Sequence, residues 1–126
     1  MKFRQMVALM LVAAMGWGGA AAGAEESVKV GVLAPLTGFA AADGLSVKNA
    51  PELAAGQVNA KGGVLGKKLE IVFEDTAGAE KAASGFERLV TRDKVVMVLG
   101  ESVSSSALAA IEVAERVKVP FTVSEA

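Results

Sequence analysis

The stretch that most constrains the fold is Val95 to Ala107, V-V-M-V-L-G-E-S-V-S-S-S-A. Val95 to Leu99 is an unbroken apolar run, mostly β-branched. A strand buried on both faces reads this way. Gly100 then allows a sharp turn. Ser102, Ser104, Ser105 and Ser106 follow, and an apolar-periodic segment begins at Ala107. Serines are favoured at a helix entry because the hydroxyl can accept a bond from an unpaired backbone N–H. The first turn of a helix also carries free N–H groups and a partial positive charge, so it can hold a carboxylate. Strand, glycine, serine turn, helix is the arrangement that binds ligands at the carboxyl ends of open α/β sheets. The same serines could also do no more than cap the helix.

The rest of the chain alternates in the same way. Ser27 to Ala34 reads as a strand ended by Pro35, which has no N–H to donate. Pro35 to Gly44 reads as a loop. A helix follows, with Val47, Ala50, Ala54 and Val58 at helical spacing. Pro51 interrupts that pattern. Either the helix kinks there, or Asn49 caps a helix starting near Pro51, and the second reading is preferred. Asn59 to Gly66 supplies a helix stop and a turn. Lys68 to Asp75 alternates, with Leu69, Ile71 and Phe73 on one face, which suits a strand near a sheet edge. Ala79 to Arg92 is helical, with Ala82, Phe86, Leu89 and Val90 on one stripe. After the serine turn, Leu108, Ile111 and Ala114 form the expected stripe of the next helix. Phe121 to Val123 is a fourth strand. The expected class is α/β: a three-layer parallel sheet with right-handed crossovers and helices on both faces.

Composition excludes several functions. The 126 residues include no Cys and no His, so disulfides, thiol nucleophiles and imidazole catalysis are ruled out, along with the usual zinc ligands. Net charge is −1 and there is no basic block, which argues against a nucleic-acid partner. No cofactor is expected. The turn after the first strand, A-P-L-T-G-F-A, lacks the dinucleotide glycine pattern. Gly62 to Lys67 has the wrong spacing and context for a phosphate loop. Glu74, Asp75 and Glu101 admit a metal or acid–base reading, but without His or further ligands the polar ends of strands are the simpler one. No metal site is assigned. An enzyme is the weaker class, since no residue is present to activate a serine.

The first residues have the layout of a secretory signal peptide. Lys2 and Arg4 precede an apolar run from Met6 to Met15, and Ala22-Gly23-Ala24 fits a cleavage site before Glu25. The expected division is a signal peptide over residues 1–24 and a mature chain from Glu25, located in the periplasm. The strongly apolar part is too short to span a bilayer.

The order of motifs carries a resemblance. V-K-V-G-V-L-A-P-L-T-G at residues 28–38 precedes N-A-K-G-G-V-L-G-K-K-L-E at 59–70 and E-D-T at 74–76. The serine turn and V-P-F-T-V-S-E-A at 119–126 follow. Together they resemble the periplasmic branched-chain amino-acid (Leu/Ile/Val) binding proteins of ABC importers, along essentially the whole mature chain. The resemblance implies a type I lobe of a two-lobed binder, with residues 25–126 as the N-terminal part of the first lobe and the second lobe absent. Such a chain would bind its solute weakly by itself. The partners implied are a small solute, an amino acid or amide, and an ABC permease in the inner membrane. A periplasmic sensor or receptor domain of the same lobe type is the alternative.

The resemblance also implies site residues. Ser104, then Ser105, match the serine turn that binds the ligand carboxylate. Ala126 matches a backbone contact to the ligand after the fourth strand. Asp43 stands where some members carry an aromatic. It either meets an ammonium or amide or faces water. Thr76 and Val103 stand at or near the family's cysteine positions, so no disulfide is implied.

Overall fold

The computed structural model describes residues 26–125. Residues 1–25, where the sequence leads one to expect a signal peptide, and Ala126 lie outside the described residues. Strand β1 spans Ser27–Ala34, β2 Lys68–Asp75, β3 Met97–Gly100 and β4 Phe121–Thr122. They form one sheet in the order β2-β1-β3-β4, with every neighbouring pair parallel. Helix α1 spans Ala41–Ala60, α2 Ala79–Thr91 and α3 Ser104–Val117. The α/β alternation and the edge position of β2 are as the sequence implies.

Side chains alternate across the sheet, so its two faces can be followed along β1. Leu33 joins Phe86, Leu89, Val98, Ala110 and Val113 in the core under α2 and α3. Phe121 closes this core from β4, its ring edge-on to Phe86 with centroids 5.5 Å apart. Val32 pairs with Phe73 on the other face, where α1 packs over β1 and β2. Helices therefore cover both faces.

Three details differ from the sequence expectation. Helix α1 begins at Ala41, well before Asn49, and runs through Pro51. A proline inside a helix costs on the order of 3 kcal/mol. What opposes that cost is tertiary. Gly44 lies so close to β1 that a Cβ there would stand 2.2 Å from the Pro35 carbonyl oxygen. At the far end the Asn59 side chain donates to the Leu69 carbonyl (2.9 Å) and accepts from the Leu69 N–H (2.7 Å). The helix is thus tied to the sheet at both ends. Its buried face is Gly44 and Ala55, with Val47, Pro51 and Val58 half-buried, whereas Ala50 and Ala54 are exposed.

Helix α3 is rotated relative to the expected stripe. Ser106, Ala107, Ala110, Val113 and Ala114 are buried, while Leu108 and Ile111 are exposed. Small side chains let α3 lie close to α2, and that proximity leaves the larger residues outside. Strand β3 is also not buried on both faces. Val98 is fully buried, but Met97 and Leu99 are half-buried because α1 covers β1 and β2 rather than β3.

Candidate functional site

The sheet order places β2 and β3 on opposite sides of β1. The chain therefore leaves β1 toward one side and returns on the other, and the loops after β1 and β3 diverge. A crevice opens at such a point, at the carboxyl ends of the strands. Here it contains a cavity of about 90 Å³ lined by the loop after β1 (Thr37, Phe39), the turn after β2 (Thr76, Ala77) and the start of α3 (Ser105, Ser106).

Two carboxyl groups shape the walls. Asp75, at the end of β2, accepts from the backbone N–H of Leu36 (2.9 Å) and Thr37 (3.1 Å), and from the Thr37 hydroxyl (2.5 Å). Burial pushes its pKa up. The donations from Thr37 and Leu36, with the Lys81 charge, outweigh that and hold it below its ordinary value. The β1–α1 loop is thereby fixed to the neighbouring strand.

Glu101 follows β3 and is 0% exposed. Its Oε1 accepts from the N–H groups of Ser102 (3.0 Å) and Val103 (3.2 Å), and its Oε2 accepts from the Thr76 hydroxyl. Its backbone has φ of 132°, a region L-residues rarely adopt. Gly100 before it has φ of 112°, and a Cβ there would lie 2.0 Å from the Leu33 carbonyl oxygen. Glu101 also holds the turn after β4, since its carbonyl accepts from the Ser124 hydroxyl (3.2 Å) and the Glu125 N–H (3.3 Å).

The serine turn differs from a capped helix entry. The residue preceding α3 is Val103, and no side chain caps the helix. The Val103 carbonyl accepts from Ser106 N–H (3.0 Å) and Ala107 N–H (2.9 Å). Glu101 takes the amides of Ser102 and Val103. The N–H groups of Ser104 and Ser105 find no acceptor among the described residues. Both serines are exposed. They present two adjacent donors and two hydroxyls at the positive end of a 14-residue helix, a set that suits an anion.

Residues 27–125 match the family model described as Periplasmic binding protein. The chain belongs to this family. Its relatives include a Leu/Ile/Val-binding protein homolog of Brucella abortus, 35% identical over 118 residues, which are 94% of this chain and 29% of that protein. Among solved structures, the substrate-binding protein LivJ of Streptococcus pneumoniae, in complex with isoleucine, superposes with a TM-score of 0.74 at 33% identity. The match covers 78% of this chain and 28% of that one. A solute-binding protein of an ABC transporter from Rhodopseudomonas palustris, in complex with 3,4-dihydroxybenzoic acid, gives a TM-score of 0.69 at 33% identity, over 77% of this chain and 26% of that one. The chain thus spans under a third of the length of these relatives.

Within this periplasmic-binding-protein lobe, Ser105 lines the cavity and Ser104 is its neighbour at the helix start. Asp43 is exposed in the first turn of α1 and does not line the cavity. Ala126 lies outside the described residues, but Ser124 and Glu125 bond to Gly100 and Glu101, which brings the chain before it alongside the end of β3. The sequence reading did not single out Thr37, Phe39, Ser106 or the role of Glu101. A charged residue wedged between an apolar strand and a serine turn was the available clue to Glu101. Nothing in the spacing marked Phe39, which is 92% exposed at the cavity rim.

Proposed function

We propose that the protein is the extracytoplasmic solute-binding component of an ABC importer, taking amino acids or related small amides of the branched-chain type and passing them to a permease in the inner membrane. The observation that carries this reading is the pair of N–H groups at Ser104 and Ser105, left without acceptors where α3 starts beside the cavity. Isoleucine and 3,4-dihydroxybenzoic acid, held by two related proteins, share a carboxylate. Such a group would satisfy both amides and the serine hydroxyls. Binding, with no turnover, is the activity we assign. Ser104 and Ser105 hold the carboxylate, Ala126 adds a backbone contact, and Asp43 either reaches an ammonium or amide of the solute or faces water.

Calorimetry on the intact protein with a panel of amino acids and small amides tests this. Ser104→Ala should weaken binding roughly tenfold to a hundredfold, the effect of one lost bond to a charged group. An unchanged affinity would leave Ser104 as a helix residue and nothing more. The export route has its own check: the secreted protein should begin at Glu25 by mass spectrometry, and retention of residues 1–24 in the membrane fraction would overturn it.

A further inference from the structure

Ser106 has no part in the anion site just described, yet its hydroxyl, like that of Ser102, is buried without a partner, and of the two only Ser106 lines the cavity. Its side chain is 0% exposed, its hydroxyl has no hydrogen-bond partner among the described residues, and it lines the 90 Å³ cavity. An unpaired buried hydroxyl is costly and uncommon. Of the other hydroxyls in the wall, that of Ser105 belongs to the anion site, and the two threonines are committed. Thr37 donates its proton to Asp75, and Thr76 donates to Glu101, so each can face the cavity only as an acceptor. The rest of the lining includes Ala40, Ala77 and Val103, which are apolar.

This combination selects among small groups. An apolar group would leave Ser106 unmet. An ammonium would lose its water with no carboxylate lining the cavity to replace it. A hydroxyl can donate to a threonine oxygen and accept from Ser106 at the same time.

We propose that Ser106 is a specificity-determining residue, and that the solute is a carboxylate bearing a hydroxyl that enters this cavity. The inference rests on the solute-binding reading and narrows its substrate class. Aliphatic and phenolic hydroxyls share this chemistry, and matched pairs separate them. Threonine against valine places a hydroxyl where a methyl would be. The second pair is 4-hydroxybenzoate against benzoate.

The test is calorimetry on the intact protein and on Ser106→Ala. The wild type should favour the hydroxylated member of at least one pair about tenfold or more, because a site built around a hydrogen bond rejects the analogue lacking it. In S106A that ratio should fall close to one. The variant should melt no lower than the wild type, since it removes an unsatisfied polar group. No preference in the wild type, or a preference that survives in S106A, would overturn the inference while leaving solute binding intact. A lower melting temperature with an unchanged ratio would assign the hydroxyl to the fold. If none of the four acids binds while another amino acid or amide does, this inference fails alone; if nothing in the wider panel binds, the solute reading fails and takes this inference with it.

Discussion

Asp75 and Glu101 stand at the carboxyl ends of β2 and β3, on either side of β1, and each pins one wall of the same cleft through three donors. Asp75 gathers the amides of Leu36 and Thr37 and the Thr37 hydroxyl at a half-buried position. Glu101 gathers the amides of Ser102 and Val103 and the Thr76 hydroxyl in complete burial, on a backbone at φ of 132°. The difference lies in the surroundings. Water can replace Asp75 at much of its site. Glu101 is wholly buried, so without it the buried Thr76 hydroxyl would be stranded and two part-buried amides would lose their acceptor. The serine turn is thus anchored by a fully buried carboxylate, whereas the loop carrying Thr37 and Phe39 is fastened by one that water reaches.

The largest expected effect follows directly. Glu101→Ala should destabilise the intact protein by about 3 kcal/mol, because a buried hydroxyl and two part-buried amides lose their acceptor and a cavity is left in their place. Urea unfolding measures it. A loss under about 1 kcal/mol would erase the contrast with Asp75. Asp75→Ala should cost only about 1 kcal/mol of stability, since its donors stay within reach of water. It frees the β1–α1 loop, so solute affinity should fall while the melting temperature hardly moves. A melting loss as large as that of E101A would break the comparison.

Acid titration sharpens it. The folded pKa of Asp75 is depressed, so its stabilisation is fully present above its unfolded value, about 4. It is lost as pH falls through the lower folded value. Glu74 is depressed as well, chiefly by its hydrogen bond from Arg88, with burial opposing. A stability profile in the acid range should therefore be shallower in Asp75→Asn than in the wild type. The smallest effect belongs to Arg88→Gln. It removes a bidentate contact to Glu74 (3.1 and 2.7 Å), but Arg92 also reaches that carboxylate (2.9 Å). The arginines are well exposed, which limits the cost to about 0–1 kcal/mol.

The elements of the cleft were legible before the structure. An apolar strand, a glycine and a run of serines locate α3 and its exposed amides, because turn chemistry and strand periodicity are local properties. That no serine side chain would cap the helix was not legible. Glu101 takes the amides of Ser102 and Val103 just before the helix, and its side chain reaches Thr76, 25 positions earlier in the chain. No local pattern encodes a bond of that span. Ser106 is similar, since its burial depends on where the loops after β1 and β2 come to lie.

By itself, the sequence determined the α/β alternation, the edge position of β2 and the place of the serine turn, because the period of apolar residues follows from backbone geometry. The tertiary structure decided which face each helix buries. In α3 the residues of greatest apolar area, Leu108 and Ile111, are exposed, and alanines take the contact. In α1 a proline persists inside the helix, with a glycine and an asparagine tying the ends to the sheet. Both outcomes have one physical cause. Close packing rewards the shape that lets a helix approach its neighbour, the sheet for α1 and α2 for α3, and a list of hydrophobic residues does not contain that distance.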